Sequence, residues 1–245
     1  MSQIRSIFKK RIKYEFKIVI TGGTGVGKTA LLRRFRDGLF VPSNSPTLGL
    51  VTFNKVIKVN DDFIRLKCVD VAGAHYYSRF RPSFYSGSQG ALLVFDIFNY
   101  RSFEELDRWL RELKNGITQD IPIVLVGNKA DIGSNMRTIS KNQINAFIQP
   151  RNLAFYETSA KDGINVDEIF YDLTWRMIEK INPVFQNGEF NLLNQPLIKQ
   201  LTFKSLKILP TSFCPLCGSK GLFSGINRQS KDLWLICPNC KNQIH

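Results

Sequence analysis

The chain has 245 residues and a hydrophobic content of 43%, which suits one folded domain of ordinary size with a small additional module. No run of about 18 apolar residues is present, which excludes a membrane-spanning helix. The first apolar cluster is too short and too charged for a secretory signal, so we expect a cytoplasmic protein.

The formal net charge of +14 is concentrated at the two ends of the chain. Residues 1–17 hold six basic side chains against one acidic, and residues 184–245 hold seven against two. Basic ends favour anionic partners, either a phospholipid surface or nucleic acid, through long-range attraction. A solvated tail that aids solubility explains the same charge equally well.

The N-terminal stretch 1–13 spaces its apolar residues as a helix would, among five basic side chains. This pattern is typical of a helix that lies on a membrane surface, and a frayed basic leader is the alternative we favour. The apolar residues concerned are Ile4, Ile7, Phe8 and Ile12.

A glycine-rich segment, Gly22–Thr29, directly follows the apolar run Ile18–Ile20 and has the spacing G-x-x-x-x-G-K-T. Such glycines let backbone N–H groups surround a polyphosphate, while the next helix presents its positive N-terminus. We expect Lys28 to reach the β- and γ-phosphates and Thr29 to ligate Mg²⁺. The predicted nucleotide-binding residues here are Gly22, Thr24, Gly25, Val26, Gly27, Lys28, Thr29 and Ala30.

Beyond residue 15, short apolar strands alternate with capped helices. The strands predicted are 16–21, 50–59, 63–70, 90–97, 121–127 and 153–158. Some strands are apolar without alternation, which indicates helices over both sheet faces, and Asn60–Asp62 marks a hairpin. The sequence predicts an α/β fold with a six-stranded, mostly parallel sheet and one antiparallel strand. Capping patterns predict helix starts at Ser102, Ser140 and Asn165.

Three motifs at strand ends indicate which nucleotide is bound. Asp70 opens a D-x-x-G motif, whose carboxylate can hold Mg²⁺ and whose Gly73 N–H can contact a γ-phosphate. Asp131, in an N-K-x-D motif, can accept two hydrogen bonds from guanine, and adenine lacks that pair of donors. The N–H of Ala160 can bind the guanine carbonyl oxygen. The predicted base site comprises Asn128, Lys129, Asp131, Ser159, Ala160 and Lys161.

Together and in this order, the motifs resemble those of the Ras superfamily of small GTPases over about residues 15–181. The stretch Arg79–Tyr85 followed by Gly90–Ile97 is most similar to the Rab branch. The resemblance implies the P-loop GTPase fold and a GTP/GDP switch that works with effector, exchange-factor and activating proteins.

The resemblance also places a first switch segment at Phe40–Thr47, with Phe40 packing on guanine. Thr47 would close over Mg²⁺ and the γ-phosphate, and the γ-phosphate would draw in Thr47 and Gly73. The implied magnesium ligands are Thr29, Thr47 and Asp70. Asn44 replaces a tyrosine common in the family, which implies a looser lid.

One departure from the family concerns hydrolysis. Ala74 stands where relatives have the glutamine that orients the attacking water, so we expect slow intrinsic hydrolysis. His75 could replace that glutamine, although we favour a surface histidine without such a role. A GTP-binding scaffold without meaningful hydrolysis is an alternative function. The predicted catalytic set is Lys28, Thr47, Gly73 and His75.

Four C-terminal cysteines form two C-x-x-C pairs separated by 19 residues. This spacing fits one tetrahedral structural Zn²⁺ and resembles a zinc ribbon, with a pair of redox dithiols as the alternative. Cys68 stands apart and is interpreted as a core residue. The predicted zinc ligands are Cys214, Cys217, Cys237 and Cys240.

The predicted domains are a basic extension at 1–14, a small GTPase domain at 15–182, a linker at 183–211 and the zinc ribbon at 212–245. Basic and aromatic residues of the ribbon allow nucleic-acid binding, although we favour a solvated surface. The chain ends in Asn242–His245 without the prenylated cysteines usual in Rab-like proteins. We therefore expect any membrane association to be peripheral and without a lipid anchor.

Overall fold

The structure is a computed structural model. It describes residues 12–42, 47–59, 62–133 and 136–182, and the backbone of residues 207–213, 220–226, 233–236 and 243–244. The chain divides into two compact units. The larger unit comprises Glu15–Val56 and Arg65–Ile181, and the smaller includes the four C-terminal strands. Residues 1–11, which contain most of the predicted membrane-surface helix, and Asn44 lie outside the described residues.

A six-stranded sheet has the order β2-β3-β1-β4-β5-β6. β1 pairs in parallel with β4, β4 with β5, and β5 with β6. The mixed sheet with one antiparallel strand confirms the predicted α/β sheet, whereas the zinc ribbon predicted with it is not shown. The strands are β1 (Ile12–Gly22), β2 (Leu50–Val59), β3 (Asp62–Val71), β4 (Gly90–Asp96), β5 (Ile123–Asn128) and β6 (Ala154–Thr158).

Among the described residues, five α-helices connect these strands and a sixth follows β6, with short 3-10 helices at His75–Tyr77 and Gln149–Arg151. None of the helices in the described part of the chain is long and apolar enough to cross a membrane. The helices are α1 (Lys28–Asp37), α2 (Arg81–Tyr85), α3 (Tyr100–Glu104), α4 (Leu106–Gly116), α5 (Lys141–Ile148) and α6 (Val166–Ile181).

The core lies on both faces of the sheet, and β4 is therefore buried at every position. Successive residues of a strand point to opposite faces. Leu93 and Phe95 pack in one cluster with Trp109 of α4, whereas Gly90 faces Met177 of α6. This arrangement explains why the β4 sequence is apolar without alternation.

Cys68 is fully buried in β3, in agreement with its interpretation as a core residue. Burial raises the pKa of its thiol to about 12, so the group stays protonated and packs as a small apolar side chain.

Two of the three predicted helix caps differ in the structure. Ser140 forms the expected capping box with Gln143, whose N–H lies 3.2 Å from the Ser140 hydroxyl. The predicted start at Ser102 was wrong: α3 begins at Tyr100 and its cap is Asn99, whose side-chain Oδ1 accepts from Ser102 N at 3.4 Å. α6 does start after Asn165, but the Asn165 amide donates to Glu157 O at 2.6 Å instead of capping the helix.

The first strand extends four residues further towards the N-terminus than predicted. β1 begins at Ile12, so Ile12 and Lys13 are extended and do not belong to the proposed N-terminal helix. A second boundary also differs, because β5 begins at Ile123, two residues after its predicted start. Apolar periodicity alone does not fix either boundary.

The C-terminal strands form a separate four-stranded sheet with the order β10-β9-β8-β7. Each neighbouring pair is antiparallel. β7 starts inside the stretch predicted as a linker, which shortens that linker. The strands are β7 (Lys207–Phe213), β8 (Lys220–Ile226), β9 (Leu233–Ile236) and β10 (Gln243–Ile244).

Candidate functional site: a phosphate loop and a base pocket at the carboxyl edge of the sheet

The glycine-rich loop connects β1 to α1 and depends on glycine at Gly27. This residue has φ 96°, and a Cβ there would lie 2.2 Å from Asn128 Nδ2. A side chain at this position would therefore be both strained and obstructed. Asn128 Nδ2 also donates to Val26 O at 2.9 Å, which ties the loop to the end of β5.

The Lys28 ammonium is held inside this loop. Its Nζ donates to Gly22 O at 2.9 Å and to Gly23 O at 2.7 Å, and the residue is only 6% exposed. Burial lowers the Lys28 pKa from its usual 10.5 to about 8, with the nearby Asp70 carboxylate opposing that shift. An anion in the loop would supply the counter-charge that burial makes favourable.

Three oxygen ligands predicted for magnesium lie together beside the loop. The Thr29 hydroxyl donates to Asp70 Oδ2 at 2.5 Å and accepts from the Thr47 hydroxyl at 2.7 Å. Asp70 Oδ1 is buried without a hydrogen-bond partner in the described part of the chain. Burial raises the Asp70 pKa, partly offset by the Thr29 hydrogen bond. A buried, unpartnered carboxylate oxygen next to two hydroxyls fits a hard cation.

The described residues contain no group of three or more His, Cys, Asp or Glu side chains that could hold a metal ion. The predicted magnesium site differs from such a group because two of its three predicted ligands, Thr29 and Thr47, supply hydroxyl oxygens. A cation there would need further oxygen ligands, and nucleotide phosphates supply them.

The segment after Asp70 lies directly against the phosphate loop. A Cβ on Gly73 would meet Gly23 C at 2.6 Å and Gly22 O at 2.7 Å, so only glycine allows this approach. His75 is exposed and begins the 3-10 helix, as expected for a surface histidine. Its part in hydrolysis stays a prediction.

The predicted base-site residues come together where β5 and β6 end. Asp131 Oδ1 accepts from the Ser159 hydroxyl at 2.8 Å, and Lys161 Nζ lies 3.9 Å from Asp131 Oδ2. Asn128 Oδ1 accepts from Ala160 N at 3.3 Å. The parallel pairing of Asn128 with Thr158 explains this proximity, because it brings both motifs to the same edge.

The remaining predicted nucleotide-binding residues differ in their exposure to solvent. Phe40 is half-buried after α1, Thr24 and Gly25 are exposed in the loop, and Ala30 is half-buried in α1. The four predicted zinc ligands, Cys214, Cys217, Cys237 and Cys240, lie outside the described residues.

One partner of the base motif, Asp96, belongs to none of the motifs predicted from the sequence. Lys129 has φ 73° and its Nζ lies 2.7 Å from Asp96 Oδ2. Asp96 ends β4 and is paired with Asn128 in the β4–β5 register. The signal available in the sequence was an aspartate at a strand end, as with Asp70.

Comparison with known proteins places the chain among the small GTPases. The Ras family profile matches residues 17–179. Ras-related protein Rab-30 of Homo sapiens is 36% identical over 182 residues, which is 74% of this chain and 88% of the relative. Ras-related protein RABA1i of Arabidopsis thaliana is 38% identical over 170 residues, covering 68% of this chain and 78% of the relative. Ras-related protein Rab-2B of Dictyostelium discoideum is 36% identical over 187 residues, covering 75% and 92%.

The match runs through the loop, the magnesium oxygens and the base pocket described above, and the relatives are Rab proteins. The chain belongs to the Ras family and is a Rab-like small GTPase.

Proposed function

We propose that the protein is a GTP/GDP switch that binds guanine nucleotide with Mg²⁺ and hydrolyses GTP slowly. One observation carries the proposal: the Lys28 ammonium, the orphan oxygen of Asp70 and the Asp131 carboxylate occupy one edge of the sheet. These groups match the charge and hydrogen-bonding pattern of a guanine nucleotide's phosphates, its cation and its base.

Each residue group has a separate task in this proposal. The loop N–H groups and Lys28 bind the phosphates, and Asp131 with the Ala160 N–H orients guanine. Thr29, Thr47 and Asp70 would hold Mg²⁺, which when bound neutralises charge on the phosphates. Gly73 and Thr47 sense the γ-phosphate, so its loss releases the segments that carry them.

Slow hydrolysis follows from the residue after Gly73. Ala74 offers a methyl group where a hydrogen-bonding side chain would orient the attacking water. Exchange factors, activating proteins and effectors would then set the lifetime of each state. A scaffold that binds GTP without meaningful hydrolysis is the second candidate, and Ala74 is the observation that favours it.

A zinc ribbon is proposed for the C-terminal sheet. Cys214 and Cys217 fall between β7 and β8, and Cys237 and Cys240 between β9 and β10. Because neighbouring strands are antiparallel, β7 and β9 run in the same direction, and each C-x-x-C pair follows one of these two strands in the sequence. The spacing of the two pairs fits the four thiolates of one tetrahedral Zn²⁺.

Removal of the Asp131 carboxylate tests base recognition. Wild-type protein should bind GDP and GTP far more tightly than ADP and ATP. Asp131→Ala should weaken GDP binding by about 100-fold, because two hydrogen bonds to a charged acceptor are lost. Displacement of a fluorescent GDP measures both, and Asp162→Ala, an exposed acid nearby, is the matched control with no change. Equal affinity for guanine and adenine nucleotides would contradict the proposal.

The buried Lys28 predicts that nucleotide binding takes up a proton in alkaline solution. With a pKa of about 8, Lys28 is mostly neutral at pH 8.5 in the nucleotide-free protein, and the phosphates should raise that pKa again. GDP binding should therefore take up most of one proton at pH 8.5 and little at pH 7. Calorimetry in two buffers of different ionisation enthalpy measures the uptake.

The sign of the stability effect follows from the same shift. The Lys28 pKa in the folded state is lower than its usual 10.5, so burying the charge costs stability below about pH 8. That cost falls as the pH rises from about 8 towards 10.5.

Lys28→Arg, which stays charged, should lose the pH-dependent part of the proton uptake. Equal uptake by Lys28→Arg and wild type would exclude Lys28 as its source.

Restoring a hydrogen-bonding side chain at position 74 should accelerate hydrolysis. Ala74→Gln is expected to increase the single-turnover rate by about 10- to 100-fold, because a positioned group would then hold the attacking water. The exposed His75 serves as the matched comparison, and His75→Ala should leave the rate unchanged. An unaltered rate in Ala74→Gln would show that Ala74 does not limit hydrolysis, and a loss in His75→Ala would assign the water to His75.

Metal analysis of the full-length protein tests the ribbon. We expect about one zinc per chain, lost in Cys214→Ser and Cys237→Ser but kept in Cys68→Ala, because thiolates from both pairs complete the site. Elemental mass spectrometry gives the stoichiometry. Protein without zinc but with two C-x-x-C disulfides in peptide mapping would establish the dithiol alternative.

A further inference from the structure

A buried ion pair between Arg81 and Glu112 lies next to the segment that carries Gly73. Arg81 of α2 is 1% exposed and the Glu112 side chain of α4 is 14% exposed. The guanidinium binds the carboxylate with two hydrogen bonds, from Nε to Oε1 and, at 2.9 Å, from Nη2 to Oε2. The sequence analysis did not single out either residue.

The third guanidinium nitrogen of Arg81 is directed at the D-x-x-G segment. Nη1 donates to Ala74 O at 2.7 Å and lies 3.4 Å from Ala72 O. Ala72 N in turn donates to Gly49 O at 3.0 Å. Arg81 therefore contacts the backbone on both sides of Gly73.

The contact between Arg81 and the Ala72 carbonyl also affects the direction of the Gly73 N–H. The Ala72 carbonyl and the Gly73 N–H belong to one planar trans peptide, so they point in opposite directions. A guanidinium near the carbonyl thus turns the N–H away from Arg81. Gly73 itself lies against Gly22 and Gly23 of the phosphate loop.

The same network extends to the start of the phosphate loop. The Tyr85 hydroxyl donates to Glu112 Oε1 at 3.1 Å and lies 2.7 Å from the Thr21 hydroxyl. Thr21 is fully buried and directly precedes Gly22. The Arg81 guanidinium also stacks 4.4 Å above the buried Trp109 ring, so its plane is fixed from a further side.

We propose that Arg81 is a positioning residue that aims the Gly73 N–H at the terminal phosphate of bound GTP and thereby sets the preference for GTP over GDP. This inference rests on the proposed function. A buried ion pair is a weak source of stability, because desolvation offsets its attraction. Its geometric role is the stronger reason for a forked guanidinium at this position.

The test compares a non-hydrolysable GTP analogue with GDP. Arg81→Lys keeps the charge but loses the planar fork, so it cannot hold Glu112 and both carbonyls together. The ratio of analogue affinity to GDP affinity should fall by about 5- to 10-fold, the value of roughly one hydrogen bond. GDP affinity should stay nearly constant, because GDP has no γ-phosphate for Gly73 to contact.

Arg108→Lys is the matched control. Arg108 also lies over the Trp109 ring, at 5.1 Å, and pairs with Glu105 at 2.9 Å, and none of its hydrogen bonds or ion pairs among the described residues involves residues 72–74. Its affinity ratio should equal that of wild type. Glu112→Gln, which keeps the shape of the partner but not its charge, should lower the ratio by less than Arg81→Lys. This variant decides the question if Arg81→Lys fails to fold.

A purely structural Arg81 would give a different result. A lower melting temperature with an unchanged affinity ratio, or an equal loss of both affinities, would overturn the inference. Wild-type protein that binds neither nucleotide would refute the proposed function itself. A wild type that binds both, with the ratio insensitive to Arg81 and Glu112, would refute only the role of Arg81.

Discussion

A buried ammonium that contacts no carboxylate within the described part of the chain is the constraint on which the nucleotide site depends. Lys28 satisfies its Nζ with the carbonyl oxygens of Gly22 and Gly23, and its pKa falls because burial disfavours the charge. The loop therefore contains an unfavourable charge that a polyphosphate can relieve. Asp70 opposes this shift, but its own position beside Thr29 and Thr47 suits a cation that would accompany the phosphates.

Asn128 couples the two halves of the site. Its Nδ2 holds the Val26 carbonyl of the phosphate loop, while its Oδ1 accepts from the Ala160 N–H beside the base pocket. The close approach requires glycine at position 27. Recognition of the base and shaping of the phosphate loop thus share one buried side chain, and a change there would disturb both.

Sequence reasoning reached residues whose surroundings are set by local motifs, and it missed contacts that depend on tertiary register. The loop, Asp70 and Asp131 stand in motifs whose spacing fixes their surroundings. Asp96, by contrast, reaches Lys129 only because β4 and β5 pair in parallel register. Burial of the charged Arg81 was equally hidden, since its partner Glu112 is 31 residues away.

The helix caps show the same limit at shorter range. At Ser140 the predicted pattern was correct, and both hydrogen bonds of the capping box with Gln143 form. At Ser102, Asn99 lies three residues earlier and caps the helix instead, while the Ser102 hydroxyl donates to the Asn99 carbonyl. Arg81 holds the carbonyl of Ala74, whereas the methyl group of Ala74 offers no hydrogen bond to a water molecule. Under the proposed function such a site would retain GTP, and its timing would depend on a partner that supplies the missing group, for which an arginine finger contributes about 10³- to 10⁵-fold in rate.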